Sequence, residues 1–410
     1  MNKYLFLLDE LPPTTSANGI CAERVMQELS KDEEVHYLSW DENERNDSLI
    51  RHSIPRKPWT VFSERMEKKK TVGSKLFYYL ARVCYFVKRL TLLYKWPVDS
   101  NKTSRRYYEN AVEIINQNDI THVVAVCFPG ESIDALSRLK KRFGSKIQTI
   151  LYALDVTIEG KLNSSSAFKW LSAIGAKRFF IKCGRASDKI LILENANDVF
   201  RRRLPLDVYS KCHTCGIPLV RQADEGITNC VKPDDDIHVV YGGNLFPGLR
   251  NPTALFDLLE KTDIGDGRNI IIDLYGKTHE DIRKSWEGRF SNIKIVEHGW
   301  VDEATLNEAL ATASVLLNVG NSERFLIPSK LFKYMGTGKP ILHIYTNPDD
   351  PCIPYLKKYN NMLLVDATKT CYDKNAIVDF LLNSKCVAQD VEKLFPTCTP
   401  DYTAKLIKEG

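Results

Sequence analysis

The sequence predicts an α/β protein with two Rossmann-like domains, each a doubly wound parallel sheet, facing a shared cleft. Short apolar strands alternate with amphipathic helices along nearly the whole chain, which is typical of such sheets. The alternation restarts near Gly216, and residues 221–236 are polar and contain a proline, as a linker would. Each half begins with a strand that leads into a glycine-bearing loop, at 10–19 and at 242–251. The length of 410 residues suits two domains of about 200 residues each.

The first half opens with a continuous apolar run, Tyr4–Leu8, that ends at Asp9 and predicts a buried parallel strand. After the loop that contains Gly19, residues 20–29 carry apolar side chains at helical spacing. The strand Val35–Leu38 comes next. The same alternation predicts helices near 107–116 and 132–142 and strands at 122–127, 148–154 and 189–193.

The second half repeats this plan, with a strand at Ile237–Tyr241 and a helix at 252–261. Further strands are predicted at 269–275, 294–297, 315–319, 341–344 and 362–365. We therefore predict an N-terminal domain over residues 1–215, a C-terminal domain over 216–388, and a helical tail over 389–410 that crosses back to the N-terminal domain. Ligands of open parallel sheets bind outside the carboxyl ends of the strands, so the two glycine-bearing loops are the first candidate sites.

The composition is that of a globular protein, with 43% hydrophobic and 27% charged residues. The N-terminal apolar run is cut by Asp9 and has no small-residue cleavage site, so we do not expect a signal peptide. No stretch approaches the roughly 20 apolar residues of a spanning helix. Eleven cysteines then favour reduced thiols and a cytoplasmic location. Cys212 and Cys215 form one CHTC, and without a second pair this favours structural thiols over a metal or redox site.

The net charge of +5 is unevenly distributed along the chain. Between Pro55 and Tyr108 there are 14 lysines and arginines against 3 acidic residues. Within this range, residues 75–96 have a helical pattern that mixes aromatic with basic side chains. Such a helix favours an anionic membrane surface as its partner. An ordinary domain face and a nucleic-acid site are the alternatives, and we expect no nucleic acid.

The glycine-bearing loop of the second half predicts an anion site. Gly242-Gly243-Asn244 follows a strand, and Arg250 stands just before the next helix. Glycines allow backbone amides to approach a phosphate closely, while the arginine and the helix start supply positive potential. A plain tight turn is the alternative for these residues.

A second anion site is predicted within residues 325–342, FLIPSKLFKYMGTGKPIL. Pro328 marks a helix start, where free N–H groups and the hydroxyl of Ser329 can bind an anion. Leu331 faces the core, whereas Lys330 and Lys333 project from other positions. The GTGKP that follows is a helix-to-strand connector, because it lacks the first glycine and the final serine or threonine of a phosphate-binding G-x-x-x-x-G-K-[ST] loop.

These features together are similar to those of glycosyltransferases of the GT-B fold, and most closely resemble the large retaining family numbered four. The similar features are the Pro-Pro-x-x-x-x-x-Gly loop, the GGN and Arg250 followed by Asn-Pro, HGWV at 298–301, and PSKLFKYMGTGKPIL. The resemblance covers nearly the whole chain in layout but is specific only in the C-terminal half. It implies a C-terminal domain that binds a nucleotide-sugar donor and an N-terminal domain that binds the acceptor.

The resemblance also implies individual roles for residues. The donor diphosphate would be held by Gly243, Asn244 and Arg250 together with Ser329, Lys330 and Leu331. Backbone around Trp300 and Val301 would meet the nucleobase. Gly19 would let the first loop approach donor and acceptor, and the loop Asn321–Glu323 would lie near the donor sugar.

The sequence departs from this family at two positions. The family usually carries two glutamates eight positions apart, where this chain has Phe325 and Lys333. Lys333 cannot accept hydrogen bonds from ribose hydroxyls as a carboxylate does, so it either binds phosphate or ribose differently or marks a weakened donor site. Phe325 cannot contact the sugar in the usual way, and Glu323 is the candidate substitute.

Acidic residues follow two strands of the first half. Asp155 and Glu159 come after the strand that ends near residue 154, and either can orient or deprotonate an acceptor hydroxyl. Glu131 lies in another loop of this edge and is equally ambiguous. A helix cap or a solvated acid is the alternative for Asp155. His122, His238 and His298 favour structural roles, and we find neither a Ser-His-Asp order nor a metal-ligand cluster.

We therefore expect a glycosyltransferase that moves a sugar from a nucleoside-diphosphate sugar, with UDP favoured, to a hydroxyl of a glycan or lipid-linked glycan with retention. A role in cell-surface polysaccharide synthesis fits this expectation. Arg250, Lys330, Asp155 and Glu323 are the candidate catalytic residues, and no metal or other cofactor is expected. The alternative is a catalytically weakened glycosyltransferase-like subunit that partners an active enzyme.

Overall fold

A computed structural model describes residues 1–12, 17–40, 48–67, 72–159, 166–221, 236–260, 268–290, 293–321, 325–369 and 373–409. The chain divides into two compact units, one of Met1–Pro218 with Pro400–Gly410 and one of Leu219–Thr399. Each unit contains one sheet whose strand pairs are all parallel. The predicted fold class, α/β with two Rossmann-like units, is confirmed.

The first unit has a seven-stranded sheet in the order β3-β2-β1-β4-β5-β6-β7. Its strands are β1 Lys3–Leu7, β2 Glu34–Ser39, β3 Ile50–Ser53, β4 His122–Cys127, β5 Gln148–Ala153, β6 Lys189–Leu193 and β7 Cys212–Cys215. The order reverses direction between β1 and β4, which creates the switch point of a doubly wound sheet. The central strands are buried on both faces because helices cover the sheet on each side.

Among the described residues, eight α-helices of the first unit precede the second unit in the sequence. They are α1 Ala17–Leu29, α2 Pro58–Glu67, α3 Val72–Leu90, α4 Asn101–Asn118, α5 Gly130–Phe143, α6 Ser166–Ala186, α7 Asn197–Arg203 and α8 Leu206–Tyr209. Local chemistry fixes the ends of α4, where the Ser100 side chain accepts the N–H of Thr103 and Asp119 adopts a left-handed conformation. No helix within the described ranges is both long and apolar enough to cross a bilayer.

The second unit has a six-stranded sheet in the order β10-β9-β8-β11-β12-β13, which repeats the reversal of the first. Its strands are β8 Ile237–Gly242, β9 Ile270–Tyr275, β10 Ile293–Gly299, β11 Val315–Val319, β12 Ile341–Tyr345 and β13 Met362–Asp366. Its helices are α9 Thr253–Leu259, α10 Glu280–Lys284, α11 Glu303–Thr312, α12 Lys330–Gly336, α13 Ile353–Tyr359, α14 Lys374–Asn383 and α15 Val391–Leu394. A core of aliphatic and aromatic side chains lies between the sheet and the helices.

The chain returns to the first unit with the helix α16, Pro400–Lys408. There the Nζ of Lys189, on β6, donates to the carbonyl of Leu406 at 2.6 Å, and α16 packs against α1. The predicted tail begins at residue 389, but residues up to Thr399 belong to the second unit. The return therefore comes at Pro400, eleven residues later than the predicted start of the tail.

Two edge strands, β3 and β7, were not predicted from the sequence. β3 (IRHS) has one aliphatic residue, so it shows no apolar run. β7 is the CHTC segment, in which Cys215 is buried and Cys212 is half-buried. Residues three apart on a strand point to opposite faces of the sheet, so this pair cannot chelate one ion from β7.

Candidate functional site

The loop after β8 is built around Gly243, whose φ of +147° lies in the region that favours glycine. The N–H of Gly242 donates to the Tyr334 hydroxyl at 2.7 Å, which ties the loop to α12. A Cβ added at Gly243 would lie 3.1 Å from the Nζ of Lys330. Glycine at 243 therefore leaves room beside the Lys330 ammonium group.

Gly276, which was not singled out in the sequence, supports this loop from β9. Its φ is +120°, and a Cβ there would lie 2.4 Å from the carbonyl oxygen of Gly243. The side-chain oxygen of Asn244 accepts the N–H of Lys277 at 2.9 Å. Asn244 thus holds the loop against its neighbour, and its predicted contact with a ligand stays a prediction.

Lys330, the first residue of α12, places its Nζ in an enclosed position. The residue as a whole is half-buried, but Nζ is inaccessible and has no hydrogen-bond partner. It lies 3.2 Å from the ring centroid of Tyr241, a cation–π contact. Burial, and then the positive charge of Arg250, hold the pKa of Lys330 well below its ordinary value.

Arg250 is oriented by a buried amide. Its Nε donates to the Asn321 side-chain oxygen at 2.7 Å, and the Asn321 Nδ2 donates to the carbonyl of Leu326 at 2.6 Å. Asn321 therefore connects the Arg250 side chain to the segment that leads into α12. The phenol of Tyr241 also lies beside Arg250. Gly243, Arg250 and Lys330 are thus brought together around Tyr241.

The remaining residues at the start of α12 lie beside this group. Ser329 precedes the helix in a helical conformation, and its side chain makes no cap hydrogen bond. The side chain of Leu331 is buried in the core, and its N–H donates to the carbonyl of Pro328 at 3.0 Å. Any contact of Leu331 with a ligand would therefore have to involve the backbone. Glu323 lies outside the described residues.

Three other predicted donor residues lie near the surface of the second unit. Trp300 follows Gly299, whose φ is +68°, and is 67% exposed. Val301 is half-buried. Lys333 projects outward, with a side chain that is 37% exposed and an Nζ 3.3 Å from the carboxylate of Glu303. Lys333 is thus part of a surface ion pair, unlike the enclosed Lys330 on the same helix.

Two histidines of the second unit have structural partners, as the sequence favoured. His238 Nδ1 lies 2.8 Å from one carboxylate oxygen of Asp273, and His298 Nε2 lies 2.7 Å from the other. His298 also stacks on Tyr275, with ring centroids 4.3 Å apart. The buried Asp273 therefore links strands β8, β9 and β10.

In the first unit, Asp155 lies just beyond the carboxyl end of β5. Its Oδ2 accepts a 2.6 Å hydrogen bond from Asn18 Nδ2, which also donates to the carbonyl of Cys127. Gly19, the next residue of α1, is buried. Burial raises the pKa of Asp155 to about 6, although the Asn18 hydrogen bond opposes this shift. Near-neutral solutions therefore contain both protonation states of this carboxyl group.

Glu131 has a structural environment that the sequence did not predict. One of its carboxylate oxygens accepts the N–H groups of Asp99 and Ser100, and the other lies 3.1 Å from Lys57 Nζ. The side chain is fully buried. This carboxylate therefore fixes the segment before α4 and is not exposed for chemistry at the sheet edge.

A cavity of about 380 Å³ also lies near the carboxyl end of β5. Its lining combines aliphatic, aromatic and charged residues, which are Ile158, Glu159, Lys169, Trp170, Ala173, Ile174, Lys177 and Arg203. Glu159, one of the predicted acids, is 3.1 Å from the Nε of Arg203. Trp170 is 65% exposed and was missed in the sequence, where a single tryptophan on a helix gives no signal.

The helix α3 carries a surface of exposed apolar side chains. Its other face packs on α2, where Trp59 stacks on Tyr85 with ring centroids 4.2 Å apart. The exposed residues are Leu76, Phe77, Tyr79, Leu80, Val83, Phe86, Val87 and Leu90. Lysine and arginine residues are interspersed among them, as the sequence pattern indicates.

The two units and the glycine-centred loop define a protein with the GT-B fold. Among solved structures, the chain is similar to WaaG, a glycosyltransferase involved in lipopolysaccharide biosynthesis, with a TM-score of 0.57, 13% identity and coverage of 99% of this chain and 100% of that one. It is also similar to the catalytic domain of starch synthase IV from Arabidopsis thaliana, bound to ADP and acarbose, with a TM-score of 0.54, 10% identity and coverage of 100% and 98%.

A third similar structure is the UDP-GlcNAc 2-epimerase from Methanocaldococcus jannaschii, with a TM-score of 0.51, 12% identity and coverage of 99% and 100%. At these identities the similarity shows the fold alone. No protein-family model matches the sequence. No curated protein matches it either.

Proposed function

We propose that the protein is a glycosyltransferase that moves a sugar from a nucleoside-diphosphate sugar to a hydroxyl group of a glycan or lipid-linked glycan. The observation that carries this proposal is the enclosed Nζ of Lys330, which lies next to Arg250 and Gly243 and, among the residues that the structure describes, makes no hydrogen bond. Two neighbouring cations without a counter-ion are unfavourable in an enclosed site. A diphosphate supplies the missing negative charge.

The same residues suit the chemistry of sugar transfer. When the bond to the sugar breaks, negative charge builds up on the leaving diphosphate, and fixed cations that stabilise this charge lower the barrier. Asn321 holds Arg250 in place, so its charge is pre-oriented. Lys330 and Arg250 would supply this charge without a divalent metal. The resemblance in sequence to the retaining family numbered four favours UDP as the nucleotide and retention of configuration.

The first unit supports a role in binding the acceptor. Asp155 combines a buried carboxyl group with a pKa of about 6, so it can accept a hydrogen bond or a proton from an acceptor hydroxyl. The cavity that Glu159 lines also has an exposed tryptophan and basic residues in its lining, which suits a sugar ring that carries negative charge. The exposed apolar and basic face of α3 favours a peripheral position on an anionic membrane, consistent with a lipid-linked acceptor and polysaccharide synthesis.

The alternative function is a weakened glycosyltransferase-like subunit. Two observations favour it: Lys333, at a position where the resembled family has a glutamate, forms an ion pair with Glu303, and the other glutamate position holds Phe325. Without these carboxylates, the ribose and the sugar lose two of their usual partners. Such a subunit would bind donor weakly and would depend on a partner enzyme.

A panel of UDP-, GDP-, ADP- and CMP-sugars separates these functions. The full chain is first screened for a thermal shift with each compound, and the products are then resolved by chromatography with candidate acceptors. A shift with one donor, followed by release of nucleoside diphosphate and a glycosylated acceptor, supports the transferase. Conversion of the donor to its epimer without transfer would identify an epimerase instead. If no compound of the panel shifts the melting temperature and no product forms, the result supports the weakened subunit.

A further inference from the structure

A second group of unpartnered atoms lies in the interior of the second unit. Within the part of this unit that the structure describes, the enclosed side-chain atoms without a hydrogen bond are Asn318 Oδ1, Lys330 Nζ, His343 Nε2 and Asp350 Oδ2. Lys330 belongs to the anion site. The other three side chains are at most 2% exposed. Folded proteins rarely leave buried polar atoms without a partner, so a cluster of them indicates a missing bound group.

We propose that His343, Asp350 and Cys352 bind a zinc ion. One ligand atom from each of these residues lies within 4.8 Å of the other two. His343 Nε2 is 3.6 Å from Asp350 Oδ2. Zinc bonds to nitrogen, oxygen and sulfur place neighbouring ligand atoms about 3.3–3.7 Å apart in a tetrahedral site. The histidine–carboxylate separation already matches this spacing, and it is too long for a hydrogen bond.

The backbone around Asp350 directs one carboxylate oxygen toward His343. The N–H of Cys352 donates to Oδ1 of Asp350 at 2.8 Å, so Oδ2 is left for the ion. A Cβ at Gly320 would lie 2.1 Å from this Oδ2. Only glycine at position 320 allows the carboxylate to occupy this position.

Asn318 on β11 supports the histidine ligand. Its side-chain nitrogen Nδ2 lies 2.9 Å from His343 Nδ1, and a flip of the amide group exchanges the positions of Nδ2 and Oδ1. With the amide oxygen turned toward the ring, Asn318 accepts the Nδ1–H, which leaves Nε2 unprotonated for the metal. This orientation also gives the amide oxygen the partner that it otherwise lacks. Histidine ligands of zinc are commonly fixed through their second nitrogen in this way.

The ligand set selects zinc over other common divalent ions. Magnesium and calcium prefer oxygen ligands, whereas zinc binds a mixture of imidazole, carboxylate and thiolate. One thiolate and one carboxylate cancel the two positive charges of the ion, so the buried site is neutral overall. Three protein ligands leave the fourth position of a tetrahedral zinc ion for a water molecule. All three ligands are buried, so the site is enclosed. It fixes the turn before α13 against the strands that lead to the anion site.

Elemental analysis of the full chain tests this proposal. The protein is purified without chelators from zinc-supplemented cells, and we expect about one zinc ion per chain. Cys352→Ser and His343→Ala should lose it, as should Asp350→Asn, which keeps the shape of the side chain. Cys84→Ser, which changes an exposed thiol of the first unit, is the matched control and should retain zinc.

A spectroscopic measurement keeps the test decisive if a variant folds poorly. The metal is removed from the wild-type chain with a chelator and replaced by cobalt(II), which should give a thiolate-to-cobalt charge-transfer band. Chelation should also lower Tm by several degrees, and zinc should restore it. The proposal is wrong if wild-type protein holds neither zinc nor cobalt, or if the metal persists in both Cys352→Ser and Asp350→Asn.

Discussion

The two units differ in the charged group that each encloses at the carboxyl edge of its sheet. The first unit encloses an acid, Asp155, whose partner is the neutral amide of Asn18 and whose pKa is raised to about 6. The second unit encloses a base, Lys330, whose Nζ has no hydrogen-bond partner and whose pKa is lowered. In both, burial disfavours the charged form, and strongly shifted groups of this kind concentrate at functional sites. This difference fits the proposal of proton or hydroxyl chemistry in the first unit and anion binding in the second.

The largest effect is expected from the two cations of the second unit. Lys330→Met and Arg250→Ala should each lower the transfer rate by about 10²–10³-fold, because each removes a positive charge from the developing diphosphate. Steady-state kinetics with the donor identified in the nucleotide-sugar panel measures this loss. An unchanged kcat/KM in either variant would show that the substituted residue does not stabilise the leaving diphosphate.

The pH dependence of stability should report the enclosed acid of the first unit. The folded-state pKa of Asp155 is raised above its unfolded value, so the native chain binds more protons and loses stability as pH rises from about 4 to about 6. Above pH 6 this cost is on the order of 3 kcal/mol. Asp155→Asn should remove it, so the free energy of unfolding of the variant minus that of the wild type should be larger at pH 7 than at pH 4 by about this amount. Equal differences at both values would contradict the shifted pKa. Asp155→Asn should also lower the rate of sugar transfer, because the side chain can no longer accept a proton from the acceptor hydroxyl.

Membrane binding tests whether the exposed surface of α3 gives the first unit a partner that differs from the diphosphate proposed for the second. Leu80→Glu together with Val87→Glu should weaken sedimentation with anionic lipid vesicles by at least about tenfold, because two apolar side chains no longer enter the interface. Leu206→Glu changes a still more exposed leucine of the first unit, on α8, and should bind as the wild type does. Loss of binding in all variants alike would argue against α3 as the contact.

The smallest effect is expected at Lys333, which shares α12 with Lys330. Lys333→Ala should change kcat/KM by less than about twofold, since an exposed ion pair with Glu303 contributes little. The comparison with Lys330→Met then separates an enclosed lysine from a surface lysine on the same helix. A large loss in Lys333→Ala would show that this lysine leaves Glu303 to bind the donor.

The sequence predicted the sheets well because buried parallel strands are continuous apolar runs. β4, β6 and β11 begin and end where they were predicted. The edge strands β3 and β7 were missed since they are short and polar, so their pairing depends on the neighbouring strand rather than on their own composition. Motifs in the sequence identified the glycine and basic residues near α12. They did not predict the environment of each side chain.

Side-chain environments depend on contacts between residues that are distant in sequence. Lys330 and Lys333 could not be distinguished until Tyr241 and Glu303 were seen beside them. Similarly, the sequence showed no metal-ligand cluster, because His343, Asp350 and Cys352 come together only in the folded unit, where Gly320 leaves room for the Asp350 carboxylate. Motifs indicate where a ligand binds, but charge states follow from packing.

The return of the chain at Pro400 determines how each unit can be produced separately. Residues 219–399 are contiguous, so a single gene fragment encodes the whole second unit. The first unit is assembled from two separated pieces of sequence, and a fragment ending at Pro218 would leave the α1 surface that α16 covers open to water. A circularly permuted gene that joins residues 400–409 ahead of Met1 would restore that cover and yield the first unit as one polypeptide.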